Sequence, residues 1–231
     1  MKKLVFSIAT ILAIGSSSLQ AGGKLVEPPY VPPVSITDGW SGFYTGLAVG
    51  YISGKDPMPD KYVSLGSETK PSGFIGGLYT GVNKKFTNDV LMGLELALNY
   101  TNIKDTTPWY NTSGEKTGLF STIKQKNEVA LYARVGKVIN NKYLPYLLGG
   151  VSWTKLESSE SRDKSLVGSD SINGWTIGAG FETKISKNWY SRIQYRYSKY
   201  SKANIKYHNG GGVVVPAYRT HTIQAGVSYH F

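Results

Sequence analysis

Three histidines, His208, His221 and His230, are the first candidates for chemistry in this chain. None stands at a metal-ligand spacing, and no nucleophile motif accompanies them. There is no cysteine, so disulfides and thiolate metal sites are excluded. Gly178-Ala179-Gly180 and Gly210-Gly211-Gly212 suit strand packing and loop flexibility better than phosphate binding. Asp56 and Asp60 read as solvated charges rather than a calcium site. The expectation is a protein that is not an enzyme, with no catalytic residue, no metal site and no required cofactor. Two charged sets stand out instead. Lys199, Lys202 and Lys206 have no acidic neighbour and lie among Tyr200, Tyr207 and His208, a combination that offers ammonium groups and aromatic faces to an anionic partner. Arg192 and Arg196, with Arg134, Glu95, Glu128 and Glu182, recur instead inside apolar stretches, where a charge needs a partner.

The elements that must position these groups are strands. Side chains alternate with period two through eight segments. The first four cover Ser41 to Ser53, Gly73 to Asn83, Val90 to Tyr100 and about Ile123 to Val138. The others cover Tyr143 to Leu156, Trp175 to Glu182, Trp189 to Tyr200, and Thr222 to the C-terminal Phe231. In the third, Met92, Leu94, Leu96 and Leu98 share the face opposite Glu95. In the fourth, Val129, Leu131, Ala133 and Val135 oppose Glu128 and Arg134; in the seventh, Ile193, Tyr195 and Tyr197 alternate with Arg192 and Arg196. An Arg at the midplane on a lipid-facing wall costs about 2–4 kcal/mol. Two of them would cost as much as a whole domain's stability. The arginines must therefore face inward, where Glu95, Glu128 and Glu182 can meet them. The fold class expected is all-β: a transmembrane antiparallel up-and-down barrel of eight strands.

Bulk properties fit. A chain of 231 residues with 17 Tyr, 5 Trp and 27 Gly favours one strand-rich domain. A mean hydropathy of −0.24 matches a wall that alternates lipid-facing and lumen-facing residues. Connections after the even segments are short (Lys84 to Asp89, Ile139 to Lys142, Lys184 to Asn188) and those after the odd ones long. This places short turns in the periplasm and long loops outside. Trp40, Tyr44, Tyr100, Trp153, Trp175, Trp189 and Tyr200 fall near strand ends and are expected in aromatic girdles. An eight-stranded lumen is filled by side chains, which disfavours a general porin.

The N-terminus reads as an address. Lys2 and Lys3, an apolar run from Leu4 to Ile14 and small residues up to Ala21 have the order of a signal peptide. The expected organisation is a cleaved leader at 1–21, a periplasmic tether at 22–39 built on Pro28-Pro29-Tyr30-Val31-Pro32-Pro33, and a barrel at 40–231. The net charge of +11 favours anionic partners, and export removes nucleic acid from them, leaving membrane lipid, lipopolysaccharide phosphates and acidic surfaces of a host. On residues alone, the Lys199 to His208 region suits lipopolysaccharide phosphates, or an anionic ring with two carboxylates such as haem, with His208 or Tyr207 as axial ligand.

Gly39-Trp40-Ser41-Gly42-Phe43-Tyr44-Thr45-Gly46, following the Pro-rich tether, resembles the opening of the alphaproteobacterial small outer-membrane proteins. That family includes RopB-like surface proteins and haemin-binding proteins. Gly93-Leu94-Glu95, Ala133-Arg134-Val135-Gly136, Leu144-Pro145-Tyr146, Gly174-Trp175-Thr176-Ile177-Gly178-Ala179-Gly180 and Tyr229-His230-Phe231 are further matches. The resemblance implies an outer-membrane location with surface-exposed loops. It also implies recognition of Tyr229 and Phe231 by the barrel-insertion machinery, and haemin as a ligand of Lys199, Lys202, Lys206, Tyr207 and His208. Gln194 departs from the family, which often carries Glu there, and removes a carboxylate from between Arg192 and Arg196. The alternatives are a structural surface protein or adhesin touching host surface molecules, and a narrow porin-like channel.

Overall fold

Lipid outside and a crowded interior dictate what each strand carries, and the burial pattern follows the alternation residue by residue. The computed structural model describes residues 39–55, 72–110, 116–160, 167–206, 212–215 and 217–231. In β1 (Gly42–Lys55), Phe43, Leu47, Val49 and Tyr51 are exposed on the wall while Tyr44, Ala48 and Ile52 are buried inside. β2 (Ser72–Lys85) and β3 (Val90–Thr101) repeat this with Phe74, Leu78, Met92, Leu94 and Leu98 outward. The short β4 (Ile103–Tyr110) continues β3 after a break at Asn102, and β5 (Lys116–Lys137) pairs first with β4 and then with β3. β6 (Tyr143–Glu160), β7 (Val167–Lys184) and β8 (Trp189–Tyr200) follow. A small hairpin, β9 (Ala203–Lys206) with β10 (Gly212–Val215), then leads into β11 (Arg219–His230).

Each barrel strand pairs antiparallel with its neighbours in the order β3, β2, β1, β11, β8, β7, β6, β5, and the β3–β5 pairing closes the ring. Eight strands therefore form a closed wall with no free edge, the arrangement that satisfies every backbone group in lipid. The seam joins the first and last strands in register from Tyr44↔His230 to Lys55↔Arg219. The β5/β6 turn uses Asn140 and Asn141 at φ of 51° and 50°, as a tight right-twisted hairpin requires. Inward tyrosines lie over inward glycines of the next strand. A Cβ on Gly46 would fall 2.4 Å from the Tyr79 ring, and one on Gly180 would fall 2.4 Å from that of Tyr146.

Three features differ from the expectation. The long connections are partly strand: β4 with the first half of β5, the outer halves of β6 and β7, and β9 with β10. β5 has 22 residues and β6 and β7 have 18 each. Since about 9–11 residues cross a bilayer, roughly half of each projects beyond it. These parts touch no lipid, so their sequences need no greasy face and carry no period-two signal. A bulge between Gln125 and Glu128 also switches the side-chain phase of β5, from even residues outward to odd residues outward. Finally, the girdle is smaller than expected. Tyr100, Trp153, Trp175 and Trp189 are exposed on the wall, but Trp40, Tyr44 and Tyr200 are buried, because parity sends both tyrosines inward and Trp40 caps the periplasmic mouth.

Candidate functional site: the sealed lumen and the outer hairpins

From the periplasmic end, the interior opens on an apolar plug. Trp40, Leu91, Val138, Leu144 and Tyr190 are buried in one cluster, with Trp40 edge-on to Tyr190 at 4.8 Å. The Trp40 indole donates to the Asn141 carbonyl at 3.3 Å, and the Tyr190 hydroxyl donates to the Gly39 carbonyl.

Above the plug sits the first ionic layer. Glu95 Oε2 accepts from Arg192 Nη1 at 2.6 Å, from the Tyr44 hydroxyl at 2.8 Å and from Arg134 Nη1 at 3.4 Å. Arg134 also donates through Nη2 to Glu182 Oε2 at 2.8 Å, and the other oxygen of Glu182 lies 3.3 Å from His230 Nε2. Aromatic faces hold the guanidinium planes: Arg192 lies 3.4 Å from the Tyr79 ring centre and Arg134 lies 4.4 Å from that of Tyr146. Gln194 accepts from the Tyr146 hydroxyl at 2.7 Å, so the amide does the work of an acceptor without adding a charge.

A second layer follows outward. Glu128 accepts from Arg196 at 3.1 Å and Asn99 at 2.9 Å on one oxygen, and from the Tyr200 hydroxyl at 2.6 Å on the other. Arg196 also donates to Gln224 at 2.7 Å and to the Tyr132 hydroxyl. Two apolar clusters close the outer side: Ile52, Ile75 and Ile103, and Leu156, Ile172, Tyr200, Ala203, Ile205 and Tyr218. The six side chains Glu95, Glu128, Glu182, Arg134, Arg192 and Arg196 are brought together as three carboxylates and three guanidiniums, all buried. Among the described residues the ionic layers are thus electrically balanced and lie between apolar clusters. The alternation points to the ions; the residues that surround them (Tyr44, Tyr132, Tyr146, Tyr200, Asn99, Gln224 and His230) share the inward parity but carry no fixed charge to mark them.

The candidate ligand residues on the outside are arranged differently. Lys199 is exposed on the wall of β8, opposite Arg219 of β11 and Trp175 of β7. Lys202 and Lys206 are exposed on the arm made by β9 and β10. Tyr207 and His208 lie outside the described residues. The arm is held by burial of Ala203 and Ile205 against Leu156, Ile172 and Tyr218, by Tyr200 stacked on Tyr218 at 4.9 Å, and by the Asn204 amide donating to Asp170 at 2.9 Å. Beyond the wall, Lys126 Nζ lies 2.8 Å from Glu157. Its hydrogen bond and charge hold that carboxyl below the ordinary range. Among the described residues no group of His, Asp or Glu is arranged to hold a metal ion. At the seam, exposed Phe231 donates its amide to the Phe43 carbonyl at 3.0 Å, and Tyr229 lies between Trp189 at 5.4 Å and Phe231 at 5.2 Å.

Residues 9–231 match the family model described as the outer membrane protein beta-barrel domain. The chain is 32% identical over 234 residues to the 25 kDa outer-membrane immunogenic protein of Brucella canis, covering 100% of this chain and 99% of the relative. It is 26% identical over 227 residues to the 22 kDa outer membrane protein of Rhizobium leguminosarum, covering 98% and 95%. Among solved structures, the outer membrane protein OprG from Pseudomonas aeruginosa is similar with a TM-score of 0.51 and 16% identity, covering 84% of this chain and 98% of that one. Neisserial surface protein A is similar with a TM-score of 0.50 and 15% identity, covering 83% and 98%.

Proposed function

The chain belongs to the outer membrane protein β-barrel family and resides in the outer membrane; on that premise we propose that it binds haemin at the cell surface through its fourth outer hairpin. The observation that carries this reading is the packed arm of β9 and β10. Its apolar face is buried, so Lys202 and Lys206 are displayed outward on an ordered support, with Lys199 at its foot. Ammonium groups on a fixed frame suit the two propionates of haemin, and the next two residues in the chain, Tyr207 and His208, are side chains able to ligate its iron. Haemin here is a bound ligand, not a cofactor that the fold requires.

Titration of the refolded protein with haemin, followed at the Soret band, tests this. The wild type shifts the band at a stoichiometry near one, and Tyr207→Ala with His208→Ala, or Lys202→Glu with Lys206→Glu, weakens binding at least tenfold. Equal binding by both double variants would remove the arm from the account.

A second reading, a structural surface protein or adhesin, is favoured by the length of β5, β6 and β7, which carry the outer hairpins well beyond the bilayer. The related Brucella proteins are described as immunogenic. Loss of cell attachment with intact haemin binding after shortening these hairpins would select it. A narrow porin-like channel has the least support, since the lumen is filled at both ionic layers. For biogenesis, exposed Phe231 and neighbouring Tyr229 suit capture of the last strand by the barrel-insertion machinery. The leader at 1–21 and tether at 22–39 remain part of the same proposal, and residues 1–38 lie outside the described residues.

A further inference from the structure

The barrel wall carries a second recognisable pattern, which shares only Lys199 with the arm. Among the described strands only two glycines occupy lipid-facing positions, Gly76 on β2 and Gly149 on β6. Inward glycines are forced: a Cβ on Gly50, Gly77 or Gly150 would fall within 2.1 Å of a neighbouring carbonyl oxygen. The two outward ones are not. The nearest atom to a Cβ on Gly76 would be 3.6 Å away, and on Gly149 it would be 3.9 Å away. Glycine weakens a strand, so an outward glycine that sterics do not require marks a place where something else lies close.

Gly76 is the floor of a groove of about 730 Å³ on the outer wall, bounded by Val49, Tyr51, Phe74, Tyr100, Ile193 and Ile223. The register explains its shape. Val49 pairs with Gly76 on one side and Ala225 on the other, so a single Val stands between an absent side chain and a lone methyl group. Following β11 outward from Ala225, the wall presents Ile223, then His221, whose Nδ1 is 2.6 Å from the Tyr195 hydroxyl, and then Arg219. Arg219 is paired across the sheet with Lys199 on one side and Lys55 on the other, which places three basic residues in one cross-strand row. Like charges directly opposite one another destabilise a sheet. Among the described residues no carboxylate pairs with Arg219 or Lys199; both are exposed, and Lys199 lies beside the girdle residue Trp175.

From Arg219 to Ala225 is six residues, about 20 Å along a strand, and a tilt of about 40° brings this to roughly 15 Å of depth, one leaflet of hydrocarbon. We propose that this strip of wall is a binding site for a phosphorylated, acylated glycolipid of the outer leaflet. The phosphate sits on Arg219 and Lys199, and one acyl chain runs past Tyr51 and Ile223 into the groove floored by Gly76 and Ala225. The second groove, around Ala133 and Gly149, has Lys126 and Lys155 outward of it, but both lie against the Glu157 carboxylate, at 2.8 and 3.8 Å, so their charge is partly neutralised and the groove serves as the internal comparison.

The test is titration of the delipidated full-length protein in mild detergent with bis-phosphorylated lipid A, read by native mass spectrometry, with heat-modified gel mobility showing that each variant is folded. One lipid binds per barrel. Arg219→Glu with Lys199→Glu weakens binding at least tenfold, Gly76→Leu does the same, Gly149→Leu leaves it unchanged, and dephosphorylated lipid A binds as poorly as the charge-reversed variant. If that variant does not fold, Arg219→Gln with Lys199→Gln carries the test, with at least a threefold loss. Undiminished binding by the Arg219 and Gly76 variants, an equal loss in Gly149→Leu, or equal affinity for the dephosphorylated lipid would overturn the proposal. Arg219 and Gly76 are not part of the haemin reading, so single substitutions there separate the two.

Discussion

At the scale of the residue, the most consequential side chain is Arg134, whose guanidinium bridges Glu95 and Glu182 while lying against Tyr146. Removing one partner of a buried pair strands the other, at a cost of about 3–5 kcal/mol. Arg134→Met should therefore lower the unfolding free energy in micelles by about that amount, measured by denaturant titration. Adding Glu182→Leu should restore a substantial part, because the stranded carboxylate goes with its partner; simple additivity in the double-mutant cycle would refute the coupling. The six charged residues were readable in the sequence because each sits among apolar neighbours at the wrong parity for lipid. Their actual partners were not, since pairing across a lumen depends on strand stagger, which alternation does not encode. The clearest case is His230, next to the C-terminus in the chain yet stacked on Tyr190 at 3.8 Å and close to Glu182.

At the scale of the element, legibility tracked the solvent. Where strands touch lipid, Met92 to Leu98 or Val129 to Val135, the alternation is strict because each greasy side chain is demanded by its surroundings. Where they rise into water, as in β9, polar residues such as Asn204 and Lys206 satisfy the surface equally well, and strand is indistinguishable from loop. The outer arm nevertheless has its own apolar core. Ile205→Asp should therefore undo the arm alone: the heat-modified gel shift stays, limited proteolysis newly cuts between Ser201 and Tyr218, and haemin affinity falls at least fivefold. Loss of the gel shift would show instead that arm and barrel fold as one unit.

For the whole molecule, the dominant fact is that a charge-balanced, aromatic-lined interior lies between apolar seals. With the lumen so filled among the described residues, wild-type protein in planar bilayers should show no long-lived open state. Truncating Arg134, Arg192 and Glu95 to Ala together empties the inner layer, and Trp40→Ala removes the periplasmic seal; the combination should give discrete single-channel steps. Steps of equal size from the wild type would show that the seals open spontaneously.

The seam adds one more consequence. Phe43 and Phe231 are hydrogen-bonded neighbours at the periplasmic mouth, so the beginning and end of the wall already meet. A short linker across that gap, with new ends cut into an outer hairpin, would yield a circularly permuted barrel whose order of synthesis differs but whose hydrogen-bonded ring is the same. Assembly of such a rearranged chain in vitro but not in cells would separate what the cylinder needs to exist from what the export route needs to read.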